Sequence, residues 1–139
     1  MRRERTAKER HILVIDDMSS TRAVLRDMLV SIGFENVSTA RNGLDALAKI
    51  NEQEVDLILS DQMMDGMTGM ELRDKLRSVP ELSEIPFIMV SSMRDAPDID
   101  TALDLGVDDY IVKPVSMGLL QRKIEDVFRR RCWQTAPSF

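Results

Sequence analysis

Apolar positions along this chain switch period five times. Five short runs are too brief for helices and, except for the second, mostly apolar: 11–15 (HILVI), 36–40 (NVSTA), 56–60 (DLILS), 86–90 (PFIMV) and 109–112 (DYIV). Each reads as a β-strand. Between them the spacing becomes helical. Val24, Leu25, Met28, Leu29 and Ile32 predict a helix with Ser19 or Ser20 as its N-cap and Gly33 as its stop. Leu44, Leu47 and Ala48 mark a second helix, and Leu72 and Leu76 a third. Ile99, Ala102 and Leu103 mark a fourth that ends at Gly106, and Leu120, Ile124, Val127 and Phe128 share one face of a fifth. Strands alternating with helices predict an α/β fold, with a parallel sheet covered on both faces.

The runs at 12–15, 57–59 and 87–90 are almost wholly apolar, as strands buried on both faces must be. The stretch ENVSTARNG is half polar and belongs at an edge. The pattern fits a doubly wound five-stranded parallel sheet in the order 2-1-3-4-5, a flavodoxin-like (βα)5 arrangement. Residues 11–131 form that domain, preceded by a basic leader, 1–10 (MRRERTAKER), and followed by a short loose tail, 132–139. In open sheets of this kind ligands bind beyond the carboxyl ends of the strands, where the strand order reverses. Here that point lies between strands 1 and 3.

The residues delivered to that point are chemically uniform. Strand 1 runs straight into Asp16 and Asp17, and strand 3 into Asp61. Two carboxylates ~4 Å apart repel by roughly 4 kcal/mol at an effective dielectric of ~20, so a cluster of three calls for a cation. Hard oxygen donors with room for water suit Mg²⁺. Strand 4 ends in Ser91 and Ser92, and strand 5 in Lys113 and Pro114. A hydroxyl and a compact ammonium both suit phosphoryl oxygens. One carboxylate acting as nucleophile beside Mg²⁺ and a lysine is a phosphoryl-acceptor site. Taken singly, each feature has a plain structural reading as a turn, a cap or a loop. Jointly, that reading must bring all five groups to one sheet edge by chance.

Composition narrows the field. The net charge is −5, and the basic residues gather in the leader and at Arg129–Arg131. With only four Phe, one Tyr and one Trp there is no stacking platform, which disfavours a nucleic-acid binder. No apolar run approaches the ~20 residues of a membrane span, and no secretion signal follows the leader. Cys132 is the sole cysteine, so internal disulfides and cysteine metal clusters are excluded. The expectation is a cytoplasmic protein that does not insert into membranes.

The segments VIDDMSSTR, LILSDQMMDGMTGMEL, PFIMVSSMRD and GVDDYIVKP resemble the receiver domain of bacterial two-component response regulators, in length its CheY-like single-domain members. The likeness covers residues 10–131. It implies that Asp61 is the phosphoacceptor, taking its group from a phosphohistidine on a sensor histidine kinase or a histidine phosphotransfer protein. It implies that Asp17 and Asp61 bind Mg²⁺ directly, with Asp16 helping through water and the backbone carbonyl of Met63 completing the set. Ser91 and Lys113 match the switch hydroxyl and the phosphate-binding lysine, and the Lys113–Pro114 bond is usually cis in the family. Tyr110 matches an aromatic that moves inward on activation, which places the target surface on helix 4, strand 5 and helix 5, around Tyr110, Met117 and Arg122. Met63 and Met93 match positions beside the path of the hydrolytic water, implying a long-lived phosphoryl group.

The chain also departs from the family. Asp65 replaces the usual proline after the acceptor, where it adds negative potential or caps the third helix. Gln62 replaces the tryptophan of motor-binding members. No output domain follows, so the response must be delivered by binding, in chemotaxis or phosphorelay signalling. A Mg²⁺-dependent phosphohydrolase working through an aspartyl phosphate is the competing reading. Such enzymes place a second Asp two residues after the nucleophile, where this chain has Met63. A flavin-binding module would need a phosphate cradle after strand 1, where carboxylates stand instead.

Overall fold

The computed structural model describes residues 7–135, with side chains from Lys8 to Arg131. After one 3-10 turn at Ala7–Glu9, strands and helices alternate as expected. The strands are β1 His11–Ile15, β2 Asn36–Ala40, β3 Leu57–Ser60, β4 Phe87–Ser91 and β5 Asp109–Val112. The helices are α1 Ser19–Ile32, α2 Gly43–Glu52, α3 Gly69–Arg77, α4 Ala96–Asp104 and α5 Met117–Thr135. All pairings are parallel, and the sheet order is β2-β1-β3-β4-β5. This is the flavodoxin-like arrangement that the hydrophobic pattern predicts.

Register decides where the chemistry emerges. Ile15 lies opposite Ser60, Ser60 opposite Met89, and Ser91 opposite Val112. The carboxyl ends of β1 and β3 are therefore level and β5 runs two residues further, and the residues after them, Asp16, Asp61 and Lys113, leave the sheet at one edge.

Side chains alternate across the sheet and build two cores. Leu13, Ile15, Ile58, Phe87 and Met89 pack with Ala46, Ile50, Leu72, Leu76 and Ala102 from α2, α3 and α4. Ile12, Val14, Leu57, Leu59, Ile88 and Ile111 pack on the other face with Leu25 and Leu29 of α1 and with Leu120, Ile124 and Val127 of α5. Strands buried on both sides explain the unbroken apolar runs.

Local expectations fail at several positions. Neither Ser19 nor Ser20 caps α1. The cap position is Met18, in extended backbone, because Asp16 accepts the Met18 amide at 3.0 Å and turns the chain one residue earlier. Val24, Leu44 and Leu103 keep the helical period yet point outward, with Leu44 73% exposed. In α2 the buried positions are Gly43, Ala46 and Ile50, since the sheet meets that helix over a third of a turn away from Leu44. Asp65 does not cap α3. Thr68 does, in a capping box with Glu71. The last helix continues to Thr135, so only residues 136–139 of the expected tail lie outside the described residues, as do residues 1–6 of the leader.

Two helix ends behave as expected. Gly33, at φ +124°, returns its amide to Leu29 and Val30, and Gly106, at φ +102°, ends the turn after α4. Both use backbone that side-chain-bearing residues rarely adopt.

Candidate functional site

The loops after β1, β3 and β5 bring three carboxylates and one ammonium together. Ligand atoms of Asp16, Asp17 and Asp61 all lie within 4.8 Å of one another. Asp16 is fully buried, Asp61 nearly so, and Asp17 exposed. Lys113 reaches across from β5, donating to Asp16 Oδ2 at 2.7 Å and to Asp61 Oδ2 at 3.2 Å. The second oxygens are held by amides: Met18 N–H donates to Asp16 Oδ1 at 3.0 Å, and Gln62 N–H to Asp61 Oδ1 at 2.7 Å. Lys113 joins Pro114 through a cis peptide bond.

The electrostatics follow from this packing. Burial pushes the Asp61 carboxyl above its ordinary range, and the Asp16 charge pushes the same way. Lys113 opposes both without cancelling them. Burial would lower Lys113, yet the hydrogen bond and charge of Asp16, joined by those of Asp61, hold its ammonium above the usual value. Three carboxylates against one ammonium leave an excess of two negative charges among these groups. A divalent cation matches that excess, and the all-oxygen donor set fits Mg²⁺. Asp16 has both oxygens engaged already, whereas Asp17 is open to solvent.

Ser91 ends β4, buried, and its Oγ accepts the Met93 amide at 3.2 Å. The Met93 carbonyl in turn accepts the Tyr110 hydroxyl at 2.8 Å. Tyr110 is only 8% exposed and packs into the core under α4. Its ring is therefore already inward and does not present itself on the α4–β5–α5 face, where Leu103, Leu105, Met117 and Arg122 are exposed. The Met63 side chain points largely into solvent.

Three structural roles escaped the sequence reading. Arg22, one turn into α1, donates to the Asp16 carbonyl at 2.7 Å and pins the acidic turn from behind. Gln62 closes the acceptor loop onto α3, its carbonyl taking the Gly69 amide at 2.9 Å and its side chain the Met70 amide at 3.0 Å. This double tie holds the loop where Asp65 replaces proline. Gly69 matters by what it lacks, because a Cβ there would stand 2.5 Å from the Asp61 carbonyl oxygen. The only sequence signal for Gly69 is its place directly after a helix cap.

Comparison with known proteins bears on the family and the fold. Residues 12–125 match the family model described as the response regulator receiver domain. The chain is 33% identical over 123 residues to chemotaxis protein CheY-3 of Vibrio cholerae, covering 88% of this chain and 95% of that protein. It is 34% identical over 119 residues to chemotaxis protein CheY of Pseudomonas aeruginosa, covering 86% of this chain and 96% of that one. Among solved structures, CheY4 of Vibrio cholerae superposes with a TM-score of 0.79 at 28% identity, covering 86% of this chain and 98% of that one.

Proposed function

Because the chain belongs to the response regulator receiver family, we propose that it accepts a phosphoryl group on Asp61 from a phosphohistidine and then changes its binding partner. The observation that carries this reading is Lys113 bridging Asp16 and Asp61 beside an acidic cluster with two uncompensated charges. A structural salt bridge would close its charge balance. This one leaves it open toward solvent, on the Asp17 side.

In the proposed reaction an Asp61 carboxylate oxygen attacks phosphorus while the P–N bond breaks and the imidazole departs. Burial raises the basicity of Asp61 and with it its nucleophilicity. Lys113, within reach of Asp61 Oδ2, turns to the phosphoryl oxygens as they arrive. Asp17, Asp61 and the Met63 carbonyl would hold Mg²⁺, with Asp16 acting through water, and the ion supplies positive charge to the same oxygens. Asp16 suits the indirect role because Lys113 and the Met18 amide already occupy its oxygens.

The switch runs through one short chain of contacts. When the Ser91 hydroxyl turns to a phosphoryl oxygen it gives up the Met93 amide, and Met93 holds the Tyr110 hydroxyl. The phosphoryl group adds about −1.5 to −2 charges to drive this. The result reaches the face of α4, β5 and α5, where the downstream target binds. The phosphodonor is a sensor histidine kinase or histidine phosphotransfer protein, and the protein works in the cytoplasm. Among the described residues no helix is long and apolar enough to cross a membrane. The names of the bacterial relatives favour chemotaxis as the setting.

Incubation with acetyl phosphate and Mg²⁺ tests the reading by intact mass. Wild type should gain one phosphoryl group, lost when Mg²⁺ is chelated or Asp61 is changed to Asn. Wild-type incorporation in Asp61→Asn would show that the acceptor lies elsewhere.

A further inference from the structure

The amino end of β1 carries the chain's one histidine. His11 lies opposite Asn36, and Ser38, two residues further along β2, shares its face of the sheet. The two side chains meet there, with His11 Nε2 standing 2.7 Å from Ser38 Oγ. On the other side of the ring, Nδ1 stands 2.9 Å from the Glu54 carbonyl oxygen. A carbonyl only accepts, so Nδ1 carries the ring proton, and in the neutral imidazole Nε2 accepts the Ser38 hydroxyl. Gln53 Oε1 lies near the same hydroxyl, but at 3.4 Å it is the weaker acceptor.

This order of contacts activates a serine: a nucleophile, a base, and a fixed group that orients the base. A backbone carbonyl here takes the orienting part that a carboxylate plays in other such sites. Access is divided in the same sense. His11 is only 8% exposed and held at both ring nitrogens, whereas Ser38 is half-buried and opens into a cleft of about 370 Å³. Glu35, Asn36, Gln53 and Glu54 also line that cleft. Their carboxamides can donate to a carbonyl oxygen, and the two carboxylates disfavour an anionic ligand. Because β2 is the edge strand, its amides that face away from β1 are further donors.

We propose that Ser38, with His11 as its general base, is a second reactive site, which takes acyl groups from small activated esters that carry no negative charge. It lies at the opposite edge of the sheet from Asp61 and does not depend on the function proposed above. Ser38 Oγ attacks the ester carbonyl carbon as its proton passes to His11 Nε2, and the carbonyl π pair moves onto oxygen. When that pair returns, the bond to the leaving oxygen breaks, and the leaving oxygen takes the proton from His11. The products are an acyl ester on Ser38 and the free alcohol.

The full-length protein is incubated with 4-nitrophenyl acetate, an uncharged ester, at neutral pH. Nitrophenolate release is followed by absorbance, and the adduct is located by peptide mass. Acetylation should appear on Ser38 ahead of the exposed Ser19, Ser78 and Ser92, and Ser38→Ala should remove it. His11→Gln should slow it about a hundredfold, the lower end of what a positioned general base contributes. That variant retains the two-bond clamp with Asp56, which uses only the backbone of residue 11. Ser38→Cys tests the pair with the imidazole in place: iodoacetamide should alkylate its thiol faster than that of Ser78→Cys. Acetylation of Ser38 no faster than of the exposed serines, an undiminished rate in folded His11→Gln, or equal alkylation of the two thiols would each overturn the proposal.

Discussion

The two ends of the sheet use the same residue types to opposite effect. At the amino end, Asp56 and Asp108 stand just before β3 and β5 and form matching two-bond clamps. The Asp56 amide donates to the His11 carbonyl at 2.8 Å while its carboxylate takes the His11 amide at 2.7 Å. Asp108 does the same with Phe87, at 2.8 Å both ways. The His11 ring bridges the Glu54 carbonyl and the Ser38 hydroxyl, and Arg73 caps the carbonyls of Leu105 and Gly106 after α4. Charge there is spent on closing the backbone. At the carboxyl end, carboxylates repel one another around a single lysine. One edge is built for stability, and the other stores electrostatic stress that a cation and a phosphoryl group relieve.

Substitutions at the two edges should therefore separate activity from stability. Asp61→Asn has the largest effect, abolishing phosphoryl acceptance as read by mass. In Mg²⁺-free buffer it should also raise the Tm. Because the folded pKa of Asp61 lies above 3.8, the ionised group weakens the fold. That stabilisation by Asn should grow as pH rises from about 3.8 through the raised pKa and then level off. No difference in Tm at neutral pH would refute the stored stress.

Gly69→Ala should cost about 3 kcal/mol in denaturant unfolding and slow phosphorylation, since the new Cβ meets the acceptor backbone rather than a flexible side chain. Asp108→Ala should cost about 2 kcal/mol by leaving the Phe87 amide without its carboxylate, yet leave acetyl phosphate incorporation at the wild-type rate. A large loss of activity there would erase the distinction between the edges. The smallest effect belongs to Arg22→Ala, about 1 kcal/mol for one hydrogen bond to the Asp16 carbonyl, with a modest fall in phosphorylation rate.

The strands, their order and the cluster of Asp16, Asp17, Asp61 and Lys113 were legible because burial on two faces writes unbroken apolar runs and the residue after each run inherits the edge. The cap of α1 was not, since a Ser signal competes with an Asp turn that only backbone geometry arbitrates. Nor was the outward face of Leu44, because helical period alone does not say which side the sheet occupies.

By itself, then, the sequence determined the element pattern, the parallel sheet and the types of group at its carboxyl edge, all consequences of local periodicity and of chain order. Tertiary structure alone decided that Lys113 spans 97 residues to Asp16 and 52 to Asp61, that Gly69 grazes the Asp61 carbonyl, and that Tyr110 lies inward on Met93. These depend on strand register and loop path to within an ångström. No local pattern encodes that, because each such contact is set by how the loops and strands pack in space and not by residue type or spacing.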